Sequence, residues 1–249
     1  MLTPRSTLIR RIAAALDASP SRIPVLVGGC GSGRTTVLHQ LRDRIGRNTA
    51  QYIDVERTAT TPERFLRAVT GASPFPGVDT APPTTPRAAF DQALEFLARA
   101  RAGAAEPATL LLDEFLELRT FESFPNLRRV LHDAIDGLVA SGNRFVLTSR
   151  YATRAQRLLR DYPARFEVIH MPPLTPEDAA DILGPVADTT SPADADFLAR
   201  AVLALADGRP AYVAALVRRD ARFPGARRPH PGRRTGDIPA RRIPRAADL

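Results

Sequence analysis

Hydrophobic side chains recur every three to four positions through residues 7–18, at Leu8, Ile9, Ile12 and Leu16, and this spacing predicts a helix closed by Ser19-Pro20. Residues 22–28 follow as a short, nearly all-apolar run bounded by Pro and Gly, the pattern of a strand buried in a parallel sheet. A glycine-rich turn separates this run from a second helical pattern, residues 35–46, with Val37, Leu38, Leu41 and Ile45 on one face and Gly46 at its end. Residues 51–55, 108–113, 144–148 and 166–171 predict further strands. Between them, residues 62–69, 88–102, 127–139 and 154–161 predict helices, the first with Thr61 as N-cap and Pro62 at its first position. Residues 71–86, rich in Pro, Gly and Thr, predict a loop. Strand and helix in alternation imply right-handed crossovers and a parallel sheet covered by helices on both faces, a three-layer αβα core of the α/β class. After Pro172-Pro173 the strands cease, and residues 176–183, 193–205 and 210–219 predict a small all-helical subdomain.

Composition sharpens this division. The chain has 249 residues, 44% hydrophobic and 25% charged, which supports a real core and excludes disorder throughout. All 35 basic residues are Arg, so every cationic site is a planar, permanently charged fork. Residues 223–249 hold seven Arg and two Asp among five Pro and three Gly, with few large apolar side chains. Such a segment cannot bury enough surface to offset its chain entropy, and it is expected to be a disordered basic tail. The expected organisation is a core over residues 1–171, a helical subdomain over 172–222 and the tail over 223–249. Two readings of the tail stay open, a solvated terminus or a contact with nucleic acid. The single cysteine, Cys30, excludes a disulfide scaffold. The chain does not open on a signal-peptide pattern, and its apolar stretches fall far short of the roughly 20 residues that span a bilayer. A soluble cytoplasmic protein without membrane contact is expected.

The densest chemistry lies in Gly28-Gly-Cys-Gly-Ser-Gly33-Arg34-Thr35, which fits G-x-x-x-x-G-K-[ST] with Arg34 in place of Lys. A predicted strand ends at Gly28 and a predicted helix begins at Thr35, so backbone N–H groups and a helix N-terminus converge on a phosphate-sized concavity. Side chains at Gly28, Gly31 or Gly33 would obstruct it. Candidate nucleotide-binding residues are therefore Gly28, Gly29, Cys30, Gly31, Ser32, Gly33, Arg34, Thr35 and Thr36. Thr35 would offer a hydroxyl to Mg²⁺ and Arg34 a cation to the β- and γ-phosphates. A dinucleotide fingerprint is excluded by spacing: in either frame Arg34 or Thr36 falls on the third glycine, although Asp54 lies where a ribose-binding acid would.

A second apolar run ends in Asp113-Glu114, two carboxylates delivered to the C-terminal edge of the sheet, where open α/β sheets bind ligands. Asp113 would hold Mg²⁺ with Thr35, and Glu114 would polarise the attacking water. A third strand ends in Thr148-Ser149-Arg150; Thr148 or Ser149 would orient water and Arg150 would meet the γ-phosphate. Ser149, Arg150 and Glu114 are thus the candidate catalytic residues. His39, His132, His170 and His230 lack partners at metal-binding spacing, and Ser32 has no His and acid in triad order. Cys30 reads as a small loop filler or, alternatively, an oxidisable thiol.

The order of residues 28–35, 110–114 and 147–150 resembles P-loop ATPases of the AAA+ and STAND type, including archaeal-type ATPases and NB-ARC modules, over most of residues 5–220. The first two segments correspond to that family's Walker A and Walker B motifs. Residues 171–179 and Gly208-Arg-Pro210 are similar to the start of its helical lid and to its G-x-P signature. The resemblance implies a five-stranded sheet of order 5-1-4-3-2, and ATP with Mg²⁺ as ligands, the adenine lying between core and lid. It further implies Pro210 near the base and Arg209 as a weaker phosphate sensor. Homo-oligomerisation or a protein partner is also implied, with Arg128 or Arg129 completing a neighbour's site. Arg34 departs from the pattern: its guanidinium keeps the charge but directs it differently from an ammonium. No winged-helix segment is evident after residue 220, which leaves a fragment or a separate effector open. The expected function is a nucleotide-dependent ATPase switch or motor. Its alternatives are a non-hydrolysing nucleotide-binding scaffold and an ATPase module that binds nucleic acid through residues 223–249.

Overall fold

The computed structural model describes residues 5–76, 81–103, 106–187 and 192–222. The expected basic tail, residues 223–249, lies outside the described residues, as does His230. Helix α1 (Arg5–Asp17) leads into strand β1 (Ile23–Val27), and α2 (Arg34–Ile45) follows the glycine loop. Next come β2 (Ala50–Asp54), a single turn α3 (Val55–Thr58), α4 (Pro62–Gly71) and α5 (Pro86–Arg99). Thr61 and Thr85 accept from the N–H of Arg64 and Ala88, and a proline occupies the first turn of both α4 and α5. The helix expected over 88–102 stops at Arg99, because Arg101–Ala102 (β3) and Glu106–Pro107 (β4) form a two-stranded antiparallel hairpin. The chain continues through β5 (Thr109–Asp113), a 3₁₀ helix over Phe115–Ser123, α6 (Val130–Ala140), β6 (Arg144–Ser149), α7 (Ala152–Leu159) and β7 (Phe166–His170).

The five long strands form one parallel sheet in the order β2-β5-β6-β1-β7. Setting the hairpin aside, these are the second, third, fourth, first and fifth long strands of the chain. Alternation along each strand divides the apolar residues between two cores. On one face, Val25, Leu110, Leu112, Phe145 and Leu147 pack with Phe65, Phe90, Phe121 and Ile135 from α4, α5, the 3₁₀ helix and α6. On the other, Leu26, Leu111, Val146 and Ile169 pack with Leu8, Ile12, Val37, Leu38 and Leu41 from α1 and α2. Helices on both faces explain why the strands read as continuous apolar runs.

After β7 the chain forms α8 (Pro176–Ala187), α9 (Pro192–Leu205) and α10 (Pro210–Arg222), around a separate small core of Leu174, Leu183, Ala199, Val202, Ala206 and Val213. Gly208, at φ 64°, joins α9 to α10, and a Cβ there would come within 2.6 Å of Pro173 Cβ. Its carbonyl accepts from Leu174 N at 2.9 Å, so the first and last segments of the helical unit meet at this turn. None of the described helices is long and apolar enough to cross a membrane.

Candidate functional site

Loop 28–33 joins the C-terminal end of β1, which lies between β6 and β7 in the sheet, to the N-terminus of α2. Gly33 is the N-cap of α2 at φ 86° and provides no side-chain cap, so the N–H groups of the first turn have no partner within the helix. The loop carbonyls, by contrast, are engaged. Arg34 Nη1 donates to the carbonyls of Gly28 and Gly29, the latter at 2.7 Å, and to Ser32 Oγ at 3.1 Å. Ala211 N at the start of α10 donates to Gly31 O at 3.3 Å, and Arg209 Nη1 lies 3.5 Å from Cys30 O. Gly31 adopts φ 76°, and a Cβ there would sit 3.2 Å from Ala211 Cβ. Within the loop, Gly28 N donates to Ser149 O at 3.3 Å and Ser32 N to Gly29 O at 3.2 Å. With its carbonyls engaged and the first-turn N–H groups of α2 facing its end, the loop forms a concavity of the electrostatic kind that suits anions.

A cavity of about 380 Å³ opens over this cradle, lined by residues 31–36 with Ile182, Pro210, Ala211 and Ala214. It adjoins a second cavity of about 640 Å³ between α1, α2 and the helical unit, walled by Ile9, Val37, Leu174, Ile182 and Pro210, with Gln40 and Asp181 among its polar residues. A polyphosphate fits the first by charge and size, and an apolar-walled cleft beside it suits a base. Pro210 lines both cavities.

The sheet delivers the acids. Asp113 ends β5 on the face that carries Leu111, the side covered by α2, and there it meets three hydroxyls. Thr35 Oγ1 donates to Asp113 Oδ2 at 2.7 Å, Tyr52 OH donates to the same oxygen at 2.9 Å, and Thr148 Oγ1 donates to Oδ1. A hydroxyl and a carboxylate held together at the edge of an anion cradle form a suitable oxygen donor set for Mg²⁺. Burial first, and the Asp113 charge second, push the Tyr52 phenol well above its ordinary value, so Tyr52 remains a donor.

Glu114 is buried, with the left-handed backbone value φ 54°, and its N–H donates to Thr148 Oγ1 at 2.9 Å. That conformation costs a non-glycine residue on the order of 1–3 kcal/mol and persists only where surrounding contacts enforce it. Both carboxylate oxygens are occupied. Oε1 pairs with Arg34 Nη2, while Oε2 accepts from Arg150 N at 3.0 Å and lies 3.4 Å from Arg150 Nε. Arg150 Nη2 in turn pairs with Glu56 of α3. The hydrogen bond to Glu56, opposed by burial and reinforced by the Glu114 charge, raises the Arg150 pKa, so this guanidinium stays charged.

Thr35, Asp113, Glu114, Arg34 and Arg150 therefore converge, as their positions in sequence suggest. Ser149 does not join them: it is fully buried, and its Oγ accepts from Tyr151 N at 3.0 Å. Successive strand residues face opposite sides, so Thr148 and not Ser149 shares the face of Asp113. Cys30 is an exposed free thiol on the loop. Arg128 and Arg129 line a separate groove with Arg87 and Asp133. Tyr52 and Glu56 were not singled out by the sequence pattern. The one available signal was positional: both flank Asp54, at the end of the strand that pairs with β5.

No protein-family model matches the chain, and no curated protein matches it. Solved structures do. The Orc1 protein of Aeropyrum pernix, solved in complex with DNA, is 21% identical with a TM-score of 0.61, the match covering 94% of this chain and 63% of that one. A Walker-type ATPase of Pyrococcus abyssi is 16% identical with a TM-score of 0.59, covering 88% and 67%. The Thermotoga maritima RuvB Holliday junction branch migration motor is 16% identical with a TM-score of 0.50, covering 88% and 62%. The chain thus spans about two thirds of the length of these proteins. At this level of identity the likeness is one of fold alone, a parallel sheet between helical layers.

Proposed function

We propose that the chain is an ATP-dependent switch or motor of the AAA+/STAND kind, in which residues 28–36 hold Mg·ATP and Asp113, Glu114 and Arg150 read its terminal phosphate. In this reading residues 1–171 are the ATPase core, residues 172–222 a lid carrying Pro210 against the base, and residues 223–249 a basic tail. One observation carries it: the glycine loop at the uncapped N-terminus of α2, the Thr35–Asp113 pair at 2.7 Å and the Glu114 carboxylate meet at one sheet edge. Backbone N–H groups at the start of α2 bind the phosphates, and Thr35 and Asp113 hold the cation. Mg²⁺ held by these two residues would supply positive charge that offsets that of the phosphates. Glu114 accepts the proton of the water that attacks the γ-phosphorus as ADP leaves. Arg150 supplies positive charge at the phosphoryl group, and Ser149 supports the turn that carries it. Lid contacts such as Ala211 N to Gly31 O link nucleotide state to lid position.

A second reading has its own support. Glu114 is held on both oxygens by arginines, Arg34 and Arg150, an arrangement that favours binding without hydrolysis. Calorimetric titration of ATP with and without Mg²⁺, followed by phosphate release from the native chain and from Glu114→Gln, separates the two. Mg²⁺-dependent binding with release that Glu114→Gln abolishes is expected for the ATPase. Binding without release identifies a nucleotide-gated scaffold, and absence of binding refutes both.

A further inference from the structure

Four side chains alternate in charge from the surface to the phosphate loop: Glu56, Arg150, Glu114 and Arg34. Exposure falls along the series, the side chains of Glu56 and Arg150 being 53% and 27% exposed and those of Glu114 and Arg34 both 9%. Arg150 is shared between two carboxylates. Toward Glu114 the side-chain contact is the longer one, Arg150 Nε lying 3.4 Å from Oε2, the oxygen that also accepts from Arg150 N at 3.0 Å. Toward Glu56 it is the shorter one, an ion pair of the terminal Nη2 with Oε1 at 2.5 Å. Glu56 therefore sets the direction of the fork. It does so from outside the loop, on α3, whose first turn is fixed to the end of β2 by the bond from Arg57 N to Asp54 Oδ1.

We infer that Glu56 is a specificity-determining residue: by parking the Arg150 fork, it sets how strongly the site prefers a nucleoside triphosphate to a diphosphate. The inference rests on the nucleotide reading above. A γ-phosphate and the Glu56 carboxylate are alternative anionic partners for one guanidinium. Only a ligand that carries a γ-phosphate must break the Glu56 pair to engage Arg150; a diphosphate leaves the pair intact. Glu56 thus opposes triphosphate binding selectively, with a strength limited by its exposure and by salt.

The test uses the full chain and calorimetric titration with Mg²⁺ plus either a non-hydrolysable ATP analogue or ADP. Glu56→Gln and Glu56→Ala are each expected to raise triphosphate affinity about two- to fivefold at low salt while ADP affinity stays constant. On an Arg150→Ala background the same substitutions are expected to change neither affinity, which distinguishes loss of the parked fork from a general change in α3. An unchanged or lowered triphosphate-to-diphosphate ratio overturns the inference alone. An equal gain without Arg150 also overturns it. Failure of the native chain to bind either nucleotide overturns both it and the reading on which it rests.

Discussion

Arg34 reaches two kinds of acceptor with one planar fork, the loop carbonyls through Nη1 and the Glu114 carboxylate through Nη2. An ammonium is a single compact centre and cannot span both. Arg34→Lys should therefore leave either Glu114 or the carbonyls of Gly28 and Gly29 short of a donor, destabilising the ligand-free chain by about 1–3 kcal/mol. A chemical denaturation midpoint equal to that of the native chain would contradict the geometry. Tyr52 makes a pH-dependent prediction of opposite origin. Its raised pKa means that stability linked to its proton is complete below about pH 10 and is lost as pH rises through the folded-state value. Tyr52→Phe should then leave the phenolate absorbance gained between about pH 9 and 11 unchanged, because Tyr52 does not ionise there in the native chain. A measurable drop in that amplitude would show that the phenol is not held by Asp113.

Among the elements, the turn between α9 and α10 is the most tightly constrained. Gly208 combines φ 64° with an approach to Pro173 that would place a Cβ at 2.6 Å from its Cβ, so Gly208→Ala adds backbone strain and a collision together. Destabilisation of about 1–3 kcal/mol is expected, and it should fall on the helical unit. Limited proteolysis should cut residues 172–222 faster in this variant while the core resists; uniform protection would place the strain elsewhere. Periodicity made most elements legible, because strands buried on both faces and helices buried on one leave distinct apolar patterns. It missed the 3₁₀ helix of Phe115–Ser123, whose Phe115, Leu116, Leu118 and Phe121 are buried without a 3.6-residue repeat. It also carried the helix of Pro86–Arg99 too far, since Ala100 and Ala102 continue the apolar run into a hairpin formed by long-range pairing.

Across the whole molecule, two large cores hold the sheet between helical layers, while the helical unit has its own smaller core and reaches the loop through Ala211 and Arg209. A ligand bridging the two should stabilise the chain by mass action, about 2.7 kcal/mol at one hundred times its dissociation constant. Mg·ATP is thus expected to raise the melting temperature, and chelation of Mg²⁺ to cancel most of the gain. An identical shift with and without Mg²⁺ would remove Thr35 and Asp113 as cation ligands. The seven arginines of residues 223–249 lead to a separate expectation at this scale. If the tail contacts DNA, affinity should fall with a log–log salt slope as steep as about −6, and deletion of those residues should abolish it. Absence of binding at low salt would exclude that role.

The sequence by itself determined the alternation of strands and helices, the glycine loop ahead of α2, and the arrival of Asp113, Glu114 and Arg150 at strand ends. These are local properties, written in apolar period and in contiguous motifs. Only the tertiary structure decided that Thr148 and Tyr52 bind Asp113, that Ser149 turns away, that Arg34 folds onto its own loop, and that Glu56 holds Arg150. Tyr52 and Thr148 reach Asp113 across 61 and 35 residues, through the order and register in which β2, β5 and β6 pair. A shift of register by one residue would send each of these strand side chains to the opposite face, so their meeting is a property of the assembled sheet.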